Sequence, residues 1–392
     1  MREVYIVAAQ RTPIGKLGGV LAPLTAAELG GVAISAALKK SGLAETSAVD
    51  QVLMGNVIQA GNGQNPARQA AVAAGLDFGV PAITINDVCA SGLSSINLAA
   101  SLIGSGQANV IVAGGMESMS NAPYLLQKAR FGYKFGEGKL IDAMQHDGLT
   151  DAWGGYSMGV TAENVNERYH VTREQQDAFA LSSHQKATQA QENHAFDDEI
   201  VPVHVKQRKS EYDVTQDQAV RPDTSMEALG KLRPSYSEDG SVTAGNASGL
   251  NDGASAVVLA SAEAVEEYGL TPLAKWEDAS LVGLDPEVMG IGPYHAINKL
   301  LENTGKTIAD IDLFEINEAF ASQSIVCQDL LKIPDDKLNP NGGALALGHP
   351  LGSSGARILV SLVHELRAQN KHTGIASLCV GGGMGAATLI TR

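Results

Sequence analysis

The sequence is poor in cysteine, in basic charge and in long apolar runs, and each shortage closes off a class of function. Its three cysteines, Cys89, Cys327 and Cys379, are odd in number and include no CxxC pair, which leaves no disulfide framework and no zinc-binding pattern. Each thiol is therefore either an apolar core residue or a reactive group. Lys and Arg total 28 against 43 Asp and Glu, for a net charge of -15. Binding nucleic acid or an anionic membrane takes a basic face that neutralises phosphates, so neither is expected as a partner. Apolar runs such as residues 110–113 fall far short of the roughly 18 that span a bilayer. The opening MREVYIVAAQRTP holds six consecutive apolar residues between charged flanks, too few for a signal-peptide core. Ile390-Thr391-Arg392 carries no lipidation or retention signal. The expectation is a soluble, cytoplasmic protein.

What the chain does have is length and a regular alternation. Its 392 residues, 44% hydrophobic, suit two or three packed units better than one. Apolar β-branched runs alternate with small-residue helical stretches, the pattern of an α/β layered fold. Strands are expected at 4–9, 52–57, 83–88 and 109–113, and a helix at 24–40. After 83–88, Cys89-Ala90-Ser91-Gly92 turns into a helix with Leu93, Ile96, Ala100 and Ile103 on one face. The next strand is expected to end in a turn at Gly114-Gly115-Met116. The same shape recurs near the C-terminus: Leu351 to Gly355 opens a helix bearing Ile358, Leu362 and Leu366, and a strand at 375–379 ends in Gly381-Gly382-Gly383-Met384. This repetition suggests duplicated halves. Between them, residues 117–249 are more polar and hold 13 of the 28 Lys and Arg residues, either a solvated surface or a site for an anionic small molecule.

Four turns carry candidate chemistry. Cys89 sits at a strand-to-helix junction, where unpaired N–H groups and the helix dipole favour a thiolate nucleophile; on position alone, core filler is the commoner role. His349, restricted by Pro350 in the glycine-rich GALALGHPLGSSGAR, is a plausible base for it. His184, His194 and His204 lie in polar stretches and are expected to be solvated. Cys379 precedes Gly381-Gly382-Gly383, glycines suited either to backbone N–H groups approaching a ligand oxygen or to a close-packed turn. Asn317, in Glu315-Ile316-Asn317-Glu318-Ala319-Phe320-Ala321, is either a helix N-cap or the holder of a water or substrate oxygen.

Asp87-Val88-Cys89-Ala90-Ser91-Gly92, Asn317 to Ala321, Gly348-His349-Pro350 with Gly352 to Arg357, and Cys379 to Gly383 stand in the order and spacing of the thiolase family. The chain resembles that family over its whole length, and within it the acetyl-CoA acetyltransferases. The resemblance implies a layered αβαβα core of two halves, residues 1–118 (completed by about 250–270) and 271–392, with a loop domain at 119–249. It implies Cys89 as acyl-accepting nucleophile, His349 as its activator and Cys379 as acid/base. One oxyanion hole would use His349 and a water on Asn317, and the other the N–H groups of Cys89 and Gly381. Coenzyme A would contact Leu149, Ser157, Met158, Arg221, Ala244, Ser248, Met289, Ala319 and Phe320, with Arg221 near the adenine and phosphates. Glu117 and Glu318 would be structural. The implied activity is condensation of two acetyl-CoA, with a broad-chain 3-ketoacyl-CoA thiolase as alternative and a non-catalytic acyl-CoA or lipid-binding protein as the rival outside enzymes. CoA esters would be substrates, with no cofactor or metal, and the assembly a homotetramer through a loop near residues 120–145. Two departures stand out: Ser157, where family members often have histidine, and Ala90, where glycine is common and the backbone is expected to be more restricted.

Overall fold

A computed structural model describes residues 2–207 and 209–392; Arg208, one of the basic residues of the polar segment, lies outside the described residues. The chain runs through β1 (Val4–Arg11), β2 (Gly15–Lys16), α1 (Ala26–Ser41), β3 (Gln51–Gly55), α2 (Pro66–Ala73), β4 (Ala82–Ile85), α3 (Ser91–Gly104) and β5 (Val110–Ser118). The polar segment then contributes β6 (Tyr124–Leu126), β7 (Leu140–Asp142), α4 (Met158–Tyr169), α5 (Arg173–Glu192), β8 (Val203–Gln207), β9 (Ser210–Val214) and α6 (Met226–Gly230). β10 (Asn251–Ser261) and α7 (Ala262–Tyr268) follow. The last third holds β11 (Ala274–Gly283), α8 (Gly292–Thr304), β12 (Leu313–Ile316), α9 (Ala321–Leu331), α10 (Ala344–Leu347), α11 (Leu351–Ala368), β13 (Thr373–Val380) and β14 (Met384–Thr391).

Local signals set several boundaries. α1 starts at Ala26 because Thr25 caps it: the Thr25 hydroxyl accepts from the Glu28 N–H, the Glu28 carboxylate accepts from the Thr25 N–H, and Gly42 ends the helix at φ 81°. All eleven residues of β10 are buried, as expected of a strand covered on both faces.

The main sheet has ten strands ordered β12-β13-β14-β11-β1-β10-β5-β3-β4, with β2 paired to β10. Its two halves repeat one pattern. β3 is parallel to β5, β5 antiparallel to β10 and β10 antiparallel to β1. Likewise β12 is parallel to β13, β13 antiparallel to β14 and β14 antiparallel to β11. The halves join where Val4–Ile6 of β1 pair with Ala274–Trp276 of β11. α3 and α11 pack on each other between the half-sheets, α11 touching β5 and β10 on one side and β12 and β13 on the other. Leu93, Ile96, Ile358, Leu359 and Leu362 fill that middle layer. α1 and α2 cover the first half from outside and α8 the second, giving five alternating layers around two sheet faces.

The expected turn at Gly114-Gly115-Met116 does not exist: β5 runs through it to Ser118. These glycines mark a close approach instead. A Cβ on Gly115 would lie 1.8 Å from the carbonyl oxygen of Gly352, so the bare strand is what lets the first turn of α11 sit against it. The true reversal is in the second half alone, where residues 381–383 link β13 to β14; at the matching point of the first half the chain leaves for the polar segment and returns as β10.

Candidate active site

The turn carrying Cys89 is strained. Val88, β-branched, is held at φ 44°, a conformation such residues rarely adopt outside functional turns. The Ser91 hydroxyl fastens it, donating to Val88 O at 2.6 Å and accepting from the Asp87 N–H at 2.8 Å. Ala90 sits at φ -82° and ψ -4°, open to any residue, so the expected restriction there does not occur. α3 begins at Ser91, two residues beyond Cys89.

His349 is fixed from both ends. Its N–H donates to Asn251 Oδ1 at 2.9 Å, while Asn251 Nδ2 donates to Gly15 O at 2.9 Å. The preceding Gly348 is at φ 113°, and a Cβ there would fall 2.6 Å from the Asn251 amide. On the ring, Nδ1 is 2.5 Å from Ser354 Oγ, whose hydroxyl lies 3.0 Å from Pro350 O. The Ser354 proton goes to that carbonyl, so Oγ accepts from Nδ1–H and Nε2 keeps the lone pair a base needs.

Cys89, His349 and Cys379 line one cavity of about 90 Å³. Leu149, Ser157, Met158, Ser248, Met289, Ala319 and Phe320 share its wall. Cys379 is packed among Met289, Ala319 and Phe320, with Sγ 3.5 Å from Gln323 Oε1. Arg221 and Ala244 lie elsewhere, on a second cavity that shares Gly249 and Leu250 with the first. Asn317 stands behind the wall. It is no N-cap: it directly follows β12, its N–H donating to Ser377 O of β13 at 2.9 Å, and α9 starts only at Ala321. Its Nδ2 is 3.5 Å from His349 Nδ1, and its Oδ1 is buried without a partner among the described residues. Gly381 reaches the site through its backbone, its N–H and that of Cys89 both favouring the Cys89 thiolate.

Burial outweighs those two N–H groups. Desolvation pushes the Cys89 thiol up to about 12, with Asp87 and Glu117 adding to the rise, so the thiolate expected from the helix dipole is not the resting form. Burial raises Cys379 well above an ordinary thiol, helped by the neighbouring Cys89 and Cys327. His349 is pushed down to about 3 by burial and then by the Arg357 charge. The resting site thus holds two thiols and a neutral imidazole.

Some contributors carried no sequence signal. Tyr236, Gln145 and Met119 line the cavity, Tyr236 meeting Phe320 edge-on at 6.3 Å. Ser354 and Asn251 position His349; only Ser354 lay inside a motif. The carboxylates expected to be structural are so placed. Glu117 accepts from Asn56 Nδ2 and from the N–H groups of Val57, Ile58 and Gly352. Glu318 accepts from the Ser183 hydroxyl, Asn339 Nδ2 and the Leu345 N–H. Of the histidines expected in solvent, His194 and His204 are exposed but His184 is buried against the second cavity.

Known proteins resemble this chain over its full length. An acetyl-CoA acetyltransferase of Chromobacterium violaceum is 50% identical across 100% of both chains. The crystal structure of the Bacillus anthracis acetyl-CoA acetyltransferase superposes with a TM-score of 0.98 at 46% identity, covering 100% of this chain and 99% of that one. Human mitochondrial 3-ketoacyl-CoA thiolase gives 0.97 at 43% identity, with coverage of 100% and 99%. The thiolase N-terminal domain model matches residues 4–263 and the thiolase C-terminal domain model residues 270–392, and the chain belongs to the thiolase family.

Proposed function

We propose that this thiolase condenses two acetyl-CoA to acetoacetyl-CoA and CoA, and runs the reverse thiolysis, through an acetyl-Cys89 intermediate. The observation that carries the reading is the convergence of two buried thiols and one lone-pair-bearing imidazole on a single small cavity. His349 Nε2 takes the Cys89 proton as Sγ attacks the thioester carbonyl. The N–H groups of Cys89 and Gly381 stabilise the oxyanion beside Sγ. Collapse expels the CoA thiolate, protonated by Cys379. The resulting Cys379 thiolate removes an α-proton from the second acetyl-CoA, and the imidazolium of His349, with Asn317 behind it, faces the enolate oxygen. The carbanion attacks the acetyl carbonyl, and Cys89 leaves as a thiolate that recovers its proton from His349. Protons and bonds balance over the cycle, and each buried charge exists only beside a group that stabilises it.

Acetyl specificity is supported by the cavity's size and by the Met158 and Met289 side chains on its wall. The test is thiolysis kinetics over 3-ketoacyl-CoA chain lengths. Activity confined to four carbons is expected; a flat profile assigns the chain the broad-chain alternative. A homotetramer is supported by the β6–β7 hairpin, whose Tyr124, Phe131, Phe135 and Leu140 are all exposed in the isolated chain; light scattering tests it. Among the described residues no helix is long and apolar enough to cross a membrane.

A further inference from the structure

β12 and α11 meet along two rungs of polar side chains. Side chains alternate along β12: Phe314 and Ile316 belong to the outer cluster with Ile297 and Leu300 of α8, which turns Glu315, and Asn317 just beyond the strand, towards α11. On α11, Ser354 and Arg357 are three residues apart and share a face. One rung is at His349, where Ser354 Oγ lies 2.5 Å and Asn317 Nδ2 3.5 Å from Nδ1. The other is a salt bridge, Arg357 Nη1 donating to Glu315 Oε2 at 3.1 Å. Neither member of that bridge lines the catalytic cavity.

Stability alone does not account for the bridge. Glu315 and Arg357 are each 1% exposed, and a buried ion pair is often no more stable than apolar residues of the same volume. Arg357 Nε and Nη2, Glu315 Oε1 and both oxygens of Glu365, two turns further along α11, have no donor or acceptor among the described residues. The two carboxyl groups meet each other, so the contact needs a shared proton. Burial raises Glu365 well above the ordinary carboxyl range, with the charges of Glu315 and Glu199 adding to the rise. The proton therefore sits on Glu365, and Glu315, whose own rise from burial the guanidinium opposes, is the ionised partner. Arg357, Glu315 and Glu365 together then carry no net charge. The other carboxylates facing them are satisfied elsewhere, Glu199 by Arg11 Nε at 2.5 Å and Glu318 by Ser183, Asn339 and the Leu345 N–H.

We infer that the Glu315–Arg357 salt bridge is a positioning device for His349: it sets the spacing of β12 and α11, and with it the contacts of Asn317 and Ser354 with the ring. The inference rests on the proposed role of His349 as base. Two strand residues span about 7 Å and three helical residues about 4.5 Å, so only short, stiff segments separate the two rungs, and a shift at one is carried to the other. The Arg357 charge bears on the ring as well, adding to burial in keeping the imidazole neutral.

The experiment compares the full-length wild type with the double variant Glu315→Gln/Arg357→Met and with Arg357→Lys. Removing one partner alone strands a buried charge, whereas the double variant removes both charges and leaves an amide to meet Glu365. In thiolysis of acetoacetyl-CoA the double variant is expected to lose about tenfold to a hundredfold in kcat, the scale of a small misplacement of a catalytic group, with KM for CoA within about twofold. Arg357→Lys, which keeps the charge and one contact, should hold kcat within about threefold of wild type. In crystal structures, Ser354 Oγ or Asn317 Nδ2 should leave hydrogen-bond range of Nδ1 in the double variant and remain there in Arg357→Lys. Unchanged kcat, a loss confined to KM, or wild-type contacts at Nδ1 in the double variant overturns the positioning role. Should the double variant not fold, Glu315→Asp, which shortens the bridge by one methylene, decides by the same two readings: a kcat loss of about threefold or more with displaced ring contacts sustains the role, and wild-type kcat or contacts overturns it. A wild-type protein without thiolysis activity refutes the proposed function instead, and the crystal structures still decide whether the bridge places the ring.

Discussion

Removing the Ser354 hydroxyl tests how the base is prepared. Ser354→Ala deletes the acceptor that lies 2.5 Å from His349 Nδ1–H, in a residue that is 1% exposed. An unpaired buried donor costs about 1–3 kcal/mol. The imidazole recovers part of that by moving its proton to Nε2, the nitrogen that must be bare to accept the Cys89 proton. The cost therefore falls on the attacking form of the enzyme, and at about 1.4 kcal/mol per factor of ten the expected loss in kcat is about tenfold to a hundredfold. KM for CoA is expected to stay within about twofold, since Ser354 is not on the cavity wall. Thiolysis of acetoacetyl-CoA followed optically gives both constants, and the rate of Cys89 acetylation by labelled acetyl-CoA should drop in parallel. A variant with unchanged kcat, or one whose loss is entirely in KM, refutes the tautomer argument.

Three further outcomes follow from the same geometry. Cys379→Ser should retain acetyl transfer to Cys89 but lose condensation by at least about a hundredfold, read from trapped acetyl-enzyme against acetoacetyl-CoA formed; equal loss of both half-reactions contradicts the division of roles. Because His349 is held down to about 3 and must be unprotonated to act as base, kcat/KM should show no acid limb at the ordinary histidine value of about 6.5 and stay level down to about pH 5, so a limb between pH 6 and 7 contradicts a neutral buried imidazole. Gly115→Ala would place a methyl 1.8 Å from Gly352 O and should lower the melting temperature by about 10 °C or prevent soluble expression, whereas Gly230→Ala, which meets nothing within 4 Å, should be silent in the same thermal scan.

The alternation of strand and helix and the likeness of the segments that carry α3 and α11 were legible because they rest on local periodicity. What misled was glycine. Gly114 and Gly115 read as a turn by analogy with residues 381–383, yet in β5 the missing side chains make room for another segment's backbone. A single sequence does not distinguish a glycine needed for its dihedral angles from one needed for its bareness. Asn317 failed as an N-cap for a related reason: four residues separate the end of β12 from α9, and a capping rule applied to composition does not see that gap.

At the site, burial was the quantity the sequence concealed. His184 sits among polar neighbours along the chain, but the α5 face that bears it packs inward, and burial with nearby cations holds its pKa at about 4. The same blindness affected Cys89. A helix N-terminus favours a thiolate by an amount that falls off within a turn, whereas full burial acts on the charge directly and pushes the thiol up to about 12. The motifs marked three groups that line one cavity; the desolvation that decides their resting protonation arises only from the folded packing of α3 and α11 between two sheet faces. That burial also explains why N–H groups and not cations stand at Sγ. A fixed cation would hold a permanent thiolate, stable and less nucleophilic, whereas backbone dipoles leave the neutral pair undisturbed and act on the oxyanion when it forms.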